Sequence, residues 1–160
     1  PFSPVTHKMS LHAQSRTVLS SVTMEVVPTN YVQMLESDAK RLGLKDLDRV
    51  RLVSRSNPKG ITGQVKLTQL VRPGTVGVSF HYGHTQFGAS RLNVRDAASV
   101  FLGGKEVTDG QGLKPNPKMG AGLNFNAVAR LDEDFGNTPL VDVCGGIPDF
   151  SSTRVKIVKA

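Results

Sequence analysis

In GTVGVSFHYGH, residues 74–84, Val76, Val78 and Phe80 alternate with Gly77, Ser79 and His81. This period of two predicts a strand buried on one side. The strand runs into His81-Tyr82-Gly83-His84, a polar, aromatic loop that contains a glycine. RVRLVS, residues 49–54, is a second strand, with Val50, Leu52 and Ser54 on one face and Arg49, Arg51 and Val53 on the other. GQVKLTQLV, residues 63–71, is a third, with Val65, Leu67 and Gln69 opposed to Lys66, Thr68 and Leu70. Asn57-Pro58 and Lys59-Gly60 mark a loop between these two, and Arg72-Pro73-Gly74 a tight turn into the next strand. STRVKIVKA closes the chain as an alternating strand through Val155, Ile157 and Val158. SSVTMEVV, residues 20–27, is strand-like and ends at Pro28, which cannot donate to a ladder.

A helical pattern occurs in SDAKRLG, residues 37–43. Ser37 or Asp38 can accept from the first helical N–H groups. Ala39, Leu42 and Leu35 give a short apolar stripe, and Gly43 supplies the left-handed position that ends the helix after about two turns. Leu44 then packs back, and Lys45 to Asp48 turn the chain. Residues 88–120 hold many glycines and two prolines and read as a long surface excursion or insertion, with one short helix near Asp96 to Phe101. Order resumes at LNFNAVARLDED, residues 123–134. The expected fold is mainly β with short helices, in one domain over residues 1–160.

The chain has 160 residues, enough to close a hydrophobic core. Sixteen glycines, nine prolines and no tryptophan suit a turn-rich, strand-rich domain better than a helical bundle. Cys144 is the only cysteine, so the chain alone can form neither an internal disulfide nor a four-thiolate zinc or iron–sulfur site. No apolar run approaches the roughly 20 residues of a membrane span, and no signal peptide is recognisable. The start at Pro1, without a methionine, reads as the edge of a piece of a longer protein.

The formal charge is +7, and nine of the 20 basic residues lie between Lys40 and Arg72 against two acids, Asp46 and Asp48. Such a field is a solvated face or awaits an anionic partner: nucleic acid, a phosphorylated cofactor or an acidic protein surface. Familiar catalytic signatures fail. His81 and His84 have metal-ligand spacing but no third or fourth ligand. There is no Gly-x-Ser-x-Gly elbow. GGKEVTDGQG lacks P-loop spacing, and GAGLNF lacks the third glycine of a dinucleotide fingerprint. No catalytic or metal-ligating residue is assigned. What remains is a set of polar loops at strand ends. One carries His12, Ser15, Arg16 and Thr17, with a guanidinium fork and hydroxyls suited to phosphate. One carries His81, Tyr82, Gly83 and His84. The third carries Asn124 and Asn126, whose amides both give and accept hydrogen bonds. Singly, each is a solvated loop; together they suit a phosphate-rich heterocycle lying across strand ends.

The stretch SDAKRLGLKDLDRVRLVSRSNPKGITGQVKLTQLVRPGTVGVSFHYGH resembles the C-terminal dinucleotide-binding domain of molybdopterin oxidoreductases, the dimethyl-sulfoxide reductase superfamily. The matching motifs are Asp38-Ala39, Leu42-Gly43, Asp46-Leu47-Asp48, Arg72-Pro73-Gly74 and Phe80-His81, in that order. HAQSRT is similar to the family's polar loop against pterin and diphosphate, and residues 137–160 to its closing stretch. The length of 88–120 and the GAGLNFNAVARLDED segment look most like the catalytic chain of a tetrathionate reductase. Departures are Leu47 for the usual glycine, Leu35-Glu36 where Asn-Pro is common, and Thr138-Pro139-Leu140 in a stretch expected to read Asn-Leu-Thr.

The resemblance implies a double-psi β-barrel that helps hold molybdopterin guanine dinucleotide on molybdenum or tungsten, within a reductase of a sulfur oxyanion such as tetrathionate. It implies that the isolated domain is inactive, because metal ligand and iron–sulfur cysteines lie in earlier domains. His12, Ser15, Arg16, Thr17, His81, Tyr82, Gly83, His84 and Asn124 or Asn126 would face the cofactor, with Phe150 against a ring. The implied partners are the other domains of the same polypeptide, a membrane anchor and an iron–sulfur electron-transfer subunit, in an extracytoplasmic complex. The rival expectation is a stand-alone basic β-barrel that binds nucleic acid. Aromatic residues at 6% supply a stacking platform poorly, which counts against it.

Overall fold

The computed structural model describes residues 1–13, 17–19, 21–83, 100–102, 105–107, 121–142, 144–147, 149 and 152–160. Among them, a mixed sheet of six strands runs in the order β1-β5-β2-β4-β3-β10. These strands are β1 (Ser3–His7), β2 (Val32–Leu35), β3 (Arg49–Val53), β4 (Ile61–Thr68), β5 (Thr75–Ser79) and β10 (Lys156–Lys159). β1–β5 and β2–β4 pair in parallel; β2–β5, β3–β4 and β3–β10 pair antiparallel. A single antiparallel bridge, Phe2 with Val155, links the two outer strands, its two N–H···O bonds being 2.7 and 3.0 Å. Two small hairpin-like sheets, β6 (Val100–Leu102) with β7 (Lys105–Val107) and β8 (Leu131–Asp132) with β9 (Thr138–Pro139), lie outside this order.

The core is made by the alternating residues: Val32 and Met34 of β2, Val50 and Leu52 of β3, Val65 of β4, Val76 and Val78 of β5, with Phe2, Leu123, Phe125 and Val128 closing it. β3 follows its sequence pattern, Val50, Leu52 and Ser54 being buried and Arg49 and Arg51 exposed. β5 does not stop at one face. Gly77 and Ser79 are buried as well, the side chains of Gln33 and Val71 lying over Gly77 on the second face, while Phe80 is only half-buried. β4 begins two residues earlier than its pattern and ends at Thr68, so Gln69 and Leu70 fall outside it and Leu70 is exposed. In β10, Ile157 is buried but Val158 points outward.

Two strands of the sheet carry weak local signals. β1 contains Pro4, which is tolerated because β1 is an edge strand. β2 is only four residues long, although Val32 and Met34 alternate with Gln33 and Leu35.

The helices correct three expectations. Residues Ser21–Val26 form a helix, α1, not a strand. Its β-branched residues mimic strand composition, but Met24 packs with Val18 and Tyr82 in a second small core while Val22 and Val26 face solvent. The second helix, α2, spans Glu36–Arg41 with Leu35 at its N-cap and no side-chain cap. Neither Ser37 nor Asp38 caps it. Asp38 lies inside the first turn, buried, and accepts a 2.6 Å bond from the N–H of Gly74 and a 2.9 Å bond from Arg41. It ties α2 to the Arg72-Pro73-Gly74 turn. Gly43 takes φ +67° at the helix end as expected, Leu44 is buried, and Leu42 is exposed instead of joining the core. The third correction concerns the helix expected near Asp96 to Phe101: Val100–Leu102 is strand, and residues 96–99 lie outside the described residues, as does most of 88–120.

In the Asp46-Leu47-Asp48 turn a leucine takes a left-handed backbone that favours glycine. Leu47 holds φ +65°, its N–H bonds the Val65 carbonyl at 2.9 Å, and its side chain is half in solvent. Asp48 accepts from the Lys45 N–H, and Asp46 from the Leu67 N–H and Lys66. These bonds hold both carboxyls below the usual carboxylate range, the backbone donors, Leu67 for Asp46 and Lys45 for Asp48, contributing most.

Candidate functional site

β1 and β5 run parallel with His7 beside Ser79, so the chains that leave them emerge at the same end of the sheet. β2 runs antiparallel to β5, which brings Asn30, two residues before it, to that end too. Asn30 is buried and fastens three segments. Its Nδ2 donates to the carbonyls of Ser79 (2.6 Å) and Leu123 (2.9 Å), and its Oδ1 accepts from the Leu123 N–H (2.8 Å). The Gly83 N–H donates to the Ala121 carbonyl at 3.0 Å. Gly83 has φ +73°, and a Cβ there would lie 2.4 Å from the Asn124 nitrogen. Glycine therefore lets residues 81–83 and 121–124 pack backbone to backbone.

His12, Thr17 and Tyr82 come together on this frame. His12 is buried, with Nδ1 2.9 Å from Thr17 Oγ1 and Nε2 3.4 Å from the Val27 carbonyl. Thr17 Oγ1 also accepts from the Ala13 N–H at 3.0 Å. The network is consistent with one tautomer: the threonine proton goes to Nδ1, and Nε2–H donates to Val27. The Tyr82 hydroxyl donates to the same Val27 carbonyl at 2.7 Å, and its ring meets the His12 ring edge-to-face at 5.1 Å. Burial, with a smaller contribution from Tyr31, pushes the Tyr82 hydroxyl up to about 12. The Thr23 hydroxyl donates to the Thr17 carbonyl, fixing the loop to α1. His81 is buried at φ +99°, its ring 6.2 Å from that of His12 and 4.4 Å from that of Phe80.

Of the residues expected from sequence, His12, Thr17, His81, Tyr82 and Gly83 thus share one end of the sheet. Asn124 joins them through its backbone contact with Gly83, and its Oδ1 accepts from the Asn126 N–H to start the short 3₁₀ turn Phe125–Val128. Asn126 is exposed beside it. Ser15, Arg16, His84 and Phe150 lie outside the described residues. The polar atoms of His12, Thr17 and Tyr82 bond one another and the Val27 carbonyl, so these three build the frame. The half-buried Asn124 spends its Oδ1 on the Asn126 N–H, while among the described residues its Nδ2 and the Asn126 side-chain amide bond no protein group. Among the described residues, no three of His, Cys, Asp and Glu converge as metal ligands. Asn30 escaped the sequence reading because Pro28-Thr29-Asn30 looks like a plain break; its only local signal is an amide just ahead of an alternating strand.

The chain resembles known proteins over most of its length. A selenate reductase subunit of Mesobacillus selenatarsenatis is 32% identical over 98% of the chain, and a tetrathionate reductase subunit of Salmonella typhimurium is 27% identical over 82% of it. The selenate reductase match is the higher in both identity and coverage, which corrects the finer resemblance to tetrathionate reductase. The chain spans only 15% and 11% of the lengths of these relatives. In fold, it superposes on acetylene hydratase from Pelobacter acetylenicus with a TM-score of 0.63 at 14% identity, covering all of this chain and 18% of that one. Residues 2–112 match the molydopterin dinucleotide binding domain, and with that match over most of its length the chain belongs to this family of domains.

Proposed function

We propose that the chain forms one wall of the seat for a molybdopterin guanine dinucleotide in the catalytic subunit of a molybdenum or tungsten oxidoreductase whose substrate is an oxyanion of sulfur or selenium. The observation that carries this reading is the junction of residues 9–13, 81–83 and 121–126 at one end of the sheet. It is a rigid, hydrogen-bonded platform whose outward amides, Asn124 and Asn126, match the mixed donor and acceptor edges of a pterin or guanine. The selenate and tetrathionate reductases among the relatives support the oxyanion part. Membership of the domain family supports the cofactor class. The Phe2–Val155 bridge between outer strands and the two parallel pairs support a double-psi barrel.

In this reading His12, Thr17 and Tyr82 orient the loop that carries Ser15 and Arg16, and Arg16 binds phosphate through its guanidinium fork. His81 and His84 lie beside the pterin, and Phe150 packs on a ring. The bound metal supplies the redox chemistry; this chain contributes binding, orientation and exclusion of water. Its partners would be the rest of the catalytic polypeptide, a membrane anchor and an iron–sulfur electron-transfer subunit.

The test is cofactor retention in the full polypeptide, read as metal content and as guanine nucleotide released on hydrolysis. Arg16→Ala and the paired Asn124→Ala, Asn126→Ala variants should each retain about tenfold less cofactor, as expected for losing hydrogen bonds to a charged or buried ligand. Wild-type metal and nucleotide content in both variants would reject the site.

A further inference from the structure

A second group of polar side chains lies at the same end of the sheet but on different strands. β3 is three places from β5 in the sheet order, roughly 14 Å along the sheet at about 4.8 Å per strand. There the turn after β3, Arg130, and residues 152–154 ahead of β10 surround a cavity of about 310 Å³. Hydrogen bonds hold the three segments together. The Leu131 N–H donates to Ser56 Oγ (3.0 Å), the Arg130 N–H to Thr153 Oγ1 (2.9 Å), the Asn57 N–H to Ser54 Oγ (3.1 Å), and Asn57 Nδ2 to the Ala127 carbonyl (2.7 Å).

All three hydroxyls serve as acceptors. None of them donates to a protein group among the described residues, so each keeps an O–H donor, although Thr153 and Ser54 are only 1% and 7% exposed. Buried donors of this kind call for an acceptor. Three guanidinium groups line the same space, and no acidic side chain does among the described residues. Arg55 pairs with Glu133 at 2.8 Å, while Arg130 and Arg154 have no ion-pair partner among the described residues. A lining rich in unused donors fits a ligand that only accepts. The volume is at the low end of the range for ligand cavities, about 300–1,000 Å³, too small for a whole dinucleotide but ample for a small oxyanion with part of its hydration shell.

The geometry points to a separate anion site, formed by Arg130, Arg154, Ser54, Ser56 and Thr153, that takes a free tetrahedral oxyanion of the phosphate and sulfate class. This goes beyond the cofactor reading, since it uses none of the residues assigned to the cofactor. It places a small oxyanion next to, and independent of, the dinucleotide seat.

Calorimetric titration of inorganic phosphate and of sulfate into the full polypeptide tests it, with cofactor bound and with cofactor removed. Saturable binding is expected in both forms. Arg130→Gln and Arg154→Gln should each weaken it at least about tenfold, the usual scale for losing a charge-assisted hydrogen bond. Arg72→Gln, an exposed cation outside the cavity, should leave it unchanged. Arg130 and Arg154 are themselves exposed, so both variants should keep the wild-type melting temperature; if one does not, the other carries the comparison. The site is overturned by absence of saturable binding or by wild-type affinity in the glutamine variants. It is also overturned if binding disappears when cofactor is present, because the cavity would then be the seat of the cofactor's own phosphates.

Discussion

Asn30 and Leu123 pair in both directions: the asparagine amide donates to the Leu123 carbonyl at 2.9 Å and its oxygen accepts from the Leu123 N–H at 2.8 Å. The side chain thereby acts as a short piece of strand for a segment that has no strand neighbour, and a further bond to Ser79 locks it to the end of β5. Asn30→Ala leaves the Leu123 N–H and two carbonyls buried without partners. At about 1–3 kcal/mol for a buried unsatisfied group, the expected loss is about 3 kcal/mol, since the carbonyls can regain part of it through water. Urea unfolding should show a lower midpoint at an unchanged slope. A midpoint within error of wild type would mean the clip is redundant.

Tyr82 gives a pH-dependent prediction. The unfolded chain loses the tyrosine proton near 10.0, the folded chain near 12, because the folded hydroxyl is buried. The unfolded state therefore binds fewer protons between these values, and stability falls as the pH rises through that window while remaining full below it. Tyr82→Phe removes this alkaline loss. At neutral pH it should cost about 1 kcal/mol, the worth of a typical hydrogen bond, here the one to Val27. Melting curves on either side of pH 10 for both proteins check the two effects together.

Leu47 holds a left-handed conformation that costs a side-chain-bearing residue about 1–2 kcal/mol. Leu47→Gly should raise stability by about 1 kcal/mol, part of the relief being offset by the greater freedom of glycine in the unfolded chain. The Leu47 side chain is about half exposed, so little packing is lost. Denaturant midpoints measure the change; a less stable glycine variant would show that Leu47 makes contacts worth more than its strain.

Gly83 is the opposite case. Gly83→Ala combines a positive φ with a Cβ 2.4 Å from the Asn124 backbone nitrogen, so residues 81–83 and 121–124 must separate. The cost should reach at least about 2 kcal/mol. Because Asn124 moves with it, cofactor retention in the full polypeptide should fall as well. Retention at the wild-type level in a destabilised variant would separate the frame from the ligand site.

By itself, the sequence determined what depends on neighbours a few residues away. Alternation in RVRLVS and TVGVS marks β3 and β5, Gly43 ends α2, and Gly74 closes a turn, because strand period and left-handed backbone are local properties. The same locality placed His12, Thr17, Tyr82, Gly83 and Asn124 on polar loops at strand ends. It failed where composition and packing disagree: the β-branched residues of α1 look like a strand until Met24 finds Val18 and Tyr82. Only the tertiary structure decided which polar groups face one another. Asp38 meets Gly74 across 36 positions and Asn30 meets Leu123 across 93. Arg130 and Arg154 both meet the Ser54–Ser56 turn from far downstream in the chain. The outward amides of Asn124 and Asn126, the closed network of His12, and the cavity among the arginines all follow from these distant pairings. A side chain's local spacing fixes which way it can point; what it bonds is fixed by whichever remote segment the sheet order brings beside it.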